Sequence, residues 1–197
     1  MQDNGSPGEL EVRKATGFVG EDKSKVSPGR YRGKLRLFLI VVAVVVVLDQ
    51  LSKLWARVNV SEIWNTELLP GFLDLIRVAN TGAIFGLFSD YTGVLIALGI
   101  AGSVIILVFL YYFPPVNKVG VVSFALILGG AVGNLIDRIR FGYVTDFISI
   151  HLRDFFYWFP FNIADAALTV GICILIYYFC KSGVFRKAYE RKHSPQN

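Results

Sequence analysis

The chain has 197 residues, of which 54% are hydrophobic and 18% are charged, and its formal net charge is +5. Soluble domains typically carry about 25% charged residues, so this deficit and the mean hydropathy of +0.53 argue against an ordinary water-soluble domain. Most basic residues lie in the two tails, a placement typical of membrane anchoring that argues against nucleic-acid binding. The length allows one domain.

Four apolar stretches are long enough to cross a bilayer, which needs about 20 residues. They run approximately from Leu35 to Trp55, Val94 to Tyr112, Val119 to Ile139 and Phe161 to Phe179. In lipid every backbone polar group must be satisfied internally, so each stretch is predicted to be helical. Alternating apolar residues in the Asn59–Tyr91 segment indicate strands. The predicted fold is therefore an all-α integral membrane protein with four transmembrane helices and a small extracytoplasmic β-type subdomain between helices 1 and 2.

Lysine and arginine residues set the predicted orientation. They concentrate in the N-terminal tail (Arg13, Lys14, Lys23, Lys25, Arg30, Arg32, Lys34 and Arg36) and in the C-terminal tail (Lys181, Arg186, Lys187, Arg191 and Lys192). By the positive-inside rule both termini are cytoplasmic. We predict a disordered basic tail over residues 1–34, a four-helix membrane domain over 35–180 and a second basic tail over 181–197.

Polar residues lie near the predicted outer ends of the helices, where lipid disfavours them. Asp49 and Lys53 are four residues apart in the first span, on one helical face and within reach of an ion pair. The others are Asn134, Asp137 and Arg138 near the end of the third span, Asp146 after it, and Asn162 and Asp165 at the start of the fourth. An unpartnered intramembrane charge costs at least ~2.5 kcal/mol, which favours a functional polar pocket over structural contacts alone.

Small residues on the third span predict close helix packing. Gly129, Gly130 and Gly133 share a face that lets another backbone approach. Gly82 and Gly86 are instead predicted to shape a loop that lines the pocket.

Several catalytic chemistries are disfavoured by the residues present. His151 and His193 are the two histidines, and they lack the spacing of a zinc site; His151 is interpreted as a surface residue. Ser103 has no histidine or lysine in its helix to act as an adjacent base. Cys173 and Cys180 lie away from the polar cluster, too far apart to bond to each other, and are interpreted as apolar packing residues.

Carboxylates remain as the candidate catalysts. Asp146 and Asp165 lie in outer segments where they can meet, although Asp49 or Asp137 can take either place on this reasoning alone. Two close carboxylates cannot both ionise freely, so one keeps a proton. One can then accept a proton from water while the other donates one to the substrate.

Five short motifs together resemble the bacterial lipoprotein signal peptidase family, signal peptidase II. They are Asp49-Gln-Leu-Ser-Lys53, Asn80-Thr-Gly-Ala-Ile-Phe-Gly86, Gly129-Gly-Ala-Val-Gly-Asn-Leu-Ile-Asp-Arg138, Val144-Thr-Asp-Phe147 and Phe161-Asn-Ile-Ala-Asp165. They occur in the family's order and spacing over approximately residues 35–180. Ile84 departs from the small residue usual in the family, and the N-terminal tail is longer than the family needs.

The resemblance implies a specific site and substrate. Asp146 and Asp165 fall on the family's two catalytic aspartates. Residues that match the family's supporting set are Asp49, Lys53, Asn80, Gly82, Gly130, Asn134, Asp137, Arg138, Asn162 and Ala164. The implied activity is an intramembrane aspartic endopeptidase that cleaves diacylglyceryl-modified prolipoproteins just before the lipidated cysteine.

The same resemblance implies a cellular setting and a set of partners. The expected location is the bacterial cytoplasmic (inner) membrane, as a multi-pass protein that is a monomer. The expected partners are the prolipoprotein substrate, membrane lipids and globomycin-type inhibitors, with no nucleic acid, no metal and no organic cofactor.

Two other classes of function remain open at this point. Intramembrane acids and a lysine also occur in proton- or ion-coupled transporters, although the sequence shows no inverted repeat and no polar residue deep in the second helix. The second of these classes is a membrane scaffold, in which the polar groups would only hold the helices together.

Overall fold

Four long helices form the body of the protein, described here from a computed structural model covering residues 28–63, 66–82, 91–112, 117–152 and 156–182. The helices are α1 (Pro28–Asn59), α2 (Thr92–Tyr112), α3 (Lys118–Phe141) and α4 (Ile163–Ser182). All four contain a stretch long and apolar enough to span a membrane. The predicted four-helix membrane fold is therefore confirmed.

Two helices begin away from their predicted first residues. α1 begins at Pro28, inside the segment predicted to be a disordered tail, and proline is well suited to the first turn of a helix. α4 begins at Ile163 rather than Phe161, because Phe161 pairs with Ile148 as an isolated antiparallel bridge. Residues 1–27 and 183–197, which hold most of the two predicted tails, lie outside the described residues.

α3 is the central helix of the bundle. Its spanning stretch is 56% buried, compared with 6% for that of α2. Asn117 caps its start by accepting a hydrogen bond of 2.9 Å from the amide of Gly120, and Gly142 ends it in a left-handed conformation with φ of 80°. Glycine adopts this conformation without steric cost, so the helix ends just before the strand that carries Asp146.

The outward surface of the bundle is apolar, as expected where lipid is the solvent. Large side chains such as Leu51, Ile105 and Ile176 are exposed. Cys173 and Cys180 are exposed free thiols, so the interpretation that they are apolar packing residues is wrong. They lie off the buried stripe of α4, which runs through residues such as Ala164 and Gly171.

A four-stranded antiparallel sheet lies at one end of the helices. Its strands are β1 (Thr66–Leu69), β2 (Leu73–Asn80), β3 (Val144–Leu152) and β4 (Phe156–Tyr157), paired in the order β1-β2-β3-β4. The predicted sheet between the first two helices is thus confirmed. Its other two strands come from the α3–α4 connection, which joins both loop regions into one sheet.

The sheet is fixed against the end of α1. Phe147 of β3 packs with Ala56 and Val60 in one buried apolar cluster. His151, interpreted from the sequence as a surface residue, is only 16% exposed, and its Nε2 lies 3.0 Å from Oδ2 of Asp74 in β2. That interpretation is wrong, because pairing of β3 with β2 places the imidazole beside a buried carboxylate.

Candidate active site

Asp146 and Asp165 are brought together by their shared neighbour Asn162. The side-chain amide of Asn162 donates a hydrogen bond of 2.6 Å from Nδ2 to Oδ1 of Asp146. Its backbone amide donates to Oδ2 of Asp165 at 3.3 Å, and its Oδ1 accepts from the backbone amide of Asp165 at 3.0 Å. Such reciprocal bonds between a residue and the third one after it form a capping box at the start of a helix. The cap of α4 therefore also holds both carboxylates.

Asp146 lies in β3 and receives a second donor from the neighbouring strand. Nδ2 of Asn80 donates to Oδ2 of Asp146 at 2.8 Å, while Oδ1 of Asn80 accepts from the amide of Gly82 at 3.0 Å. Burial, followed by the charge of Asp165, raises the pKa of Asp146 from 3.8 to about 7, against the opposing effect of the bonds from Asn80 and Asn162. A carboxyl group with this pKa can either hold or release a proton near neutral pH.

Asp165, in the first turn of α4, is connected to α1 through Asn134. Nδ2 of Asn134 donates to Oδ1 of Asp165 at 2.7 Å. Oδ1 of Asn134 accepts bonds from Nζ of Lys53 at 2.8 Å and from Nδ2 of Asn162 at 3.2 Å. The side-chain amide of Asn134 therefore links the Lys53 ammonium to the Asp165 carboxylate by two successive hydrogen bonds.

The predicted ion pair between Asp49 and Lys53 is confirmed. Nζ of Lys53 lies 2.9 Å from Oδ2 of Asp49, and both side chains are 0% exposed. The pair does more than stabilise the end of α1, because Oδ1 of Asp49 also accepts a hydrogen bond of 2.9 Å from the amide of Ala164. α1 therefore satisfies one of the amides at the start of α4 that lack an intrahelical partner.

Asp137 is the acceptor for groups from α1 and β3. Its carboxylate contacts Nζ of Lys53 at 3.8 Å and Nη1 of Arg57 at 3.4 Å. It also accepts from the amide of Thr145 at 3.0 Å and from Nε2 of Gln50 at 3.2 Å. Asp137 consequently fixes α1 and the start of β3 to α3.

Asp137 and Arg138 are adjacent in the sequence, but they do not pair with each other. Nη2 of Arg138 donates instead to the carbonyl of Gly82 at 2.9 Å, and no ion pair joins it to Asp137 within the described ranges. Consecutive residues of a helix do not face each other, so Arg138 is directed to the chain after β2 while Asp137 is directed to α1.

Three polar residues of this network are not among the site residues predicted from the sequence. Gln50, Arg57 and Thr145 all contact Asp137, and Arg57 also donates to Oγ1 of Thr145 at 2.8 Å. A signal for Arg57 was present, because it follows Lys53 by four residues and therefore lies on the same helical face. Gln50 and Thr145 carried no such periodic signal.

The glycines of α3 confirm the predicted close packing. A Cβ atom on Gly129 would lie 2.9 Å from Cβ of Val45, and one on Gly133 would lie 2.6 Å from Oδ2 of Asp49. A Cβ on Gly130 would overlap the carbonyl oxygen of Ala164. These positions let α1 and α4 approach α3 closely enough for their polar side chains to meet.

Some residues singled out in the sequence are not part of this cluster. Ser103 lies in α2, and its hydroxyl donates to the carbonyl of Gly99 at 2.8 Å. Gly86 and Ile84 lie outside the described residues. In the part of the chain that the structure describes, no group of three or more His, Cys, Asp or Glu side chains is arranged to hold a metal ion.

Comparison with known proteins assigns the chain to a family. The family model described as signal peptidase (SPase) II matches residues 41–181, which include every residue of the site. The chain belongs to the signal peptidase II family. Family membership makes it a multi-pass membrane peptidase, and the transporter and scaffold alternatives are set aside.

Named relatives in this family cover most of the chain. A lipoprotein signal peptidase from Clostridium acetobutylicum is 37% identical over 144 residues, 73% of this chain and 94% of the relative. One from Moorella thermoacetica is 41% identical over 138 residues, 70% of this chain and 89% of the relative. A bacterial membrane enzyme solved by the in meso method at 2.3 Å resolution is 25% identical, has a TM-score of 0.67, and matches over 81% of this chain and 94% of its own.

Proposed function

We propose that this signal peptidase II is an aspartic endopeptidase in which Asp146 and Asp165 together activate one water molecule. The observation that carries the proposal is that both carboxylates contact Asn162. The raised pKa of Asp146 further supports the proposal, because two carboxyl groups that share a proton can act as base and acid at the same pH.

The reaction is a hydrolysis of one peptide bond. The ionised carboxylate removes a proton from water as the water oxygen attacks the carbonyl carbon of the substrate. The neutral carboxyl group donates its proton to the carbonyl oxygen. In the collapse of the tetrahedral intermediate the C–N bond breaks, the carboxyl group that took the water proton gives it to the leaving amine, and one hydroxyl of the intermediate returns a proton to the other carboxylate. The products are a signal peptide with a new carboxylate and a protein with a new N-terminal amine.

The proposed substrate is a prolipoprotein whose cysteine already carries diacylglycerol, cleaved just before that cysteine. The names of the relatives support the prolipoprotein class. The carboxylates lie where the helices meet the sheet, and the apolar outer surface of the bundle offers lateral contact with lipid. The proposed substrate matches this placement, because its acyl chains lie in the bilayer while the peptide bond to be cleaved lies at the bilayer surface.

The supporting residues divide into two groups in this proposal. Asn80, Asn134 and Asn162 orient the carboxylates through hydrogen bonds. The others hold the helices, the sheet and the neighbouring loop in register: Asp49, Lys53, Gly82, Gly130, Asp137, Arg138 and Ala164.

The proposed setting follows from the distribution of basic residues. Both tails are rich in lysine and arginine, so we place both termini in the cytoplasm, the protein in the bacterial inner membrane and the sheet on the outer side. In this proposal residues 35–180 form the peptidase domain between two basic tails, the enzyme acts as a monomer without a metal or organic cofactor, and globomycin-type inhibitors block it.

The test uses purified protein and a diacylglyceryl-modified prolipoprotein, with loss of the signal segment followed by gel mobility and mass. Asp146→Asn and Asp165→Asn should each abolish cleavage while the protein still inserts and folds. Glu67→Gln, which changes an exposed carboxylate of β1, is the matched control and should retain activity. Processing at the normal rate by either aspartate variant would refute the carboxylate pair, and equal cleavage of an unlipidated substrate would refute the substrate class.

A further inference from the structure

Thr145, the residue before Asp146, is held from two sides. Its backbone amide donates to Oδ2 of Asp137 at 3.0 Å, and its hydroxyl oxygen accepts from Nη1 of Arg57 at 2.8 Å. The same Nη1 lies 3.4 Å from Oδ2 of Asp137. Arg57, Asp137 and Thr145 thus form a closed triangle that joins α1, α3 and β3.

Arg57 is itself firmly placed. Its guanidinium carbon lies 4.5 Å from the centre of the Phe141 ring, and its carbonyl accepts a hydrogen bond of 3.0 Å from Nη1 of Arg77 in β2. Its side chain is 14% exposed. The planar guanidinium can bond an oxygen at its edge while it stacks on an aromatic ring, so one side chain meets Thr145, Asp137 and Phe141 together.

An irregularity of the sheet lies next to this point of β3. Its pairing with β2 shifts register between Leu75 and Val78, directly before the Val78–Asp146 pair. A bulge of this kind disrupts the ladder locally, so the regular pairing of Thr145 with Ala79 and of Asp146 with Val78 ends directly after Asp146. Thr145 is fully buried, and a buried hydroxyl that loses its donor carries a desolvation cost.

We propose that Arg57 is a positioning residue that acts through Thr145 to hold the β3 backbone where Asp146 reaches the carboxylate pair. Side chains of consecutive strand residues point to opposite faces. Anchoring Thr145 towards α1 and α3 therefore directs Asp146 towards Asn162 and Asn80. This inference rests on the proposed function of Asp146 and adds a residue that touches neither carboxylate of the pair.

The test compares steady-state kinetics of four variants on the lipidated prolipoprotein. Arg57→Met removes the donor, and Thr145→Val removes the acceptor while keeping the shape of the side chain. Each should lower kcat by about 10- to 100-fold, the range that a small misplacement of a catalytic group can cost, and should leave KM unchanged. Thr145→Ser keeps the hydroxyl and should restore most of the kcat lost in Thr145→Val. Arg140→Met is the matched control, because Arg140 also lies over the Phe141 ring, at 5.1 Å, and should leave kcat unchanged.

The double variant Arg57→Met/Thr145→Val separates positioning from general destabilisation. If the two residues act through one hydrogen bond, its kcat should equal that of either single variant, whereas independent effects would multiply. Lower thermal stability with normal kcat in the folded enzyme, or equal loss in Thr145→Ser and Thr145→Val, would overturn the inference. If Asp146→Asn is also active, the proposed function fails; if it is inactive and Arg57→Met has normal kcat, only the positioning role fails.

Discussion

The side-chain amide of Asn162 donates a hydrogen bond of 2.6 Å to Oδ1 of Asp146. Because the backbone and side chain of Asn162 also form the cap of α4 around Asp165, a single residue orients one carboxylate on a strand and another on a helix. Any change that releases Asn162 therefore acts on both candidate catalytic groups at once.

Replacement of Asn162 tests this shared role. Asn162→Leu keeps a similar volume but removes the donor to Asp146 and the cap of α4, so the cleavage rate should fall by about 100-fold or more. The initial rate on lipidated prolipoprotein measures the effect. Asn59→Leu is the control, because Nδ2 of Asn59 donates to the carbonyl of Trp55 at the exposed end of α1. A rate close to that of the unmodified enzyme in Asn162→Leu would contradict the role.

The raised pKa of Asp146 predicts a distinctive dependence of stability on pH. The pKa is 3.8 ordinarily and about 7 in the folded protein, so between these values the folded form binds more protons than the unfolded chain. The free energy of unfolding therefore falls as pH rises across that interval, at ~1.4 kcal/mol per pH unit at most. Above about pH 7 this contribution becomes constant.

Asp146→Asn removes the titrating group, so it should also remove the decrease in the free energy of unfolding between about pH 4 and about pH 7. In detergent, the Tm of the variant should rise relative to the Tm of the unmodified protein as the pH increases from about 4 to about 7. Above about pH 7 the difference between the two Tm values should stay constant. Glu67→Gln on β1 should keep the unmodified curve. If the plots of Tm against pH for Asp146→Asn and for the unmodified protein were parallel, the pKa of Asp146 would be the same in the folded and unfolded forms, and the prediction would be wrong.

The buried Asp49–Lys53 pair should contribute far more to stability than an exposed pair. Lys53→Met leaves the carboxylate of Asp49 buried without its cation and Oδ1 of Asn134 without its closest donor, and the expected loss is about 3–5 kcal/mol. Glu62→Gln breaks the Arg77–Glu62 pair, in which the Glu62 side chain is 57% exposed, and should cost about 1 kcal/mol or less. Thermal unfolding of the two variants in the same detergent makes the comparison, and equal losses would argue against a structural role for the buried pair.

Close packing of α3 against α4 predicts a large effect from one methyl group. A Cβ on Gly130 would overlap the Ala164 carbonyl and lie 2.8 Å from Cγ of Leu168, so Gly130→Ala should push α4 away and separate Asp165 from Asn134. We expect loss of cleavage and a lower Tm. Gly102→Ala in α2 is the control, since nothing lies within 4 Å of its added Cβ and alanine favours helix over glycine. Normal cleavage by Gly130→Ala would show that the contact is not needed.

Local spacing predicted some of these features well. The four spans follow from hydropathy, and the Asp49–Lys53 pair follows from a separation of four residues in one helix. The two candidate acids could be chosen over Asp49 and Asp137 only through the resemblance of their motifs to a family. Without that resemblance, any of these four carboxylates could be assigned to the catalytic pair.

Relationships between distant segments could not be predicted in this way. The partners of Asp137 include Arg57 and Thr145, which come from other elements, and the pairing of β2 with β3 joins loops that are separated by two helices. The exposure of Cys173 shows a different limit. In lipid an apolar side chain is tolerated on either face of a helix, so its identity does not reveal whether it points inward or outward.

The hydrogen bond from Ala164 to Asp49 joins residues 115 positions apart, and it links the first and last helices directly. The amide of Ala164 is one of those at the start of a helix that lack an intrahelical partner, so α4 gains this acceptor only where it packs beside α1. In the mechanism proposed above, the segment that carries Asp165 is therefore held in place by the first of the four helices.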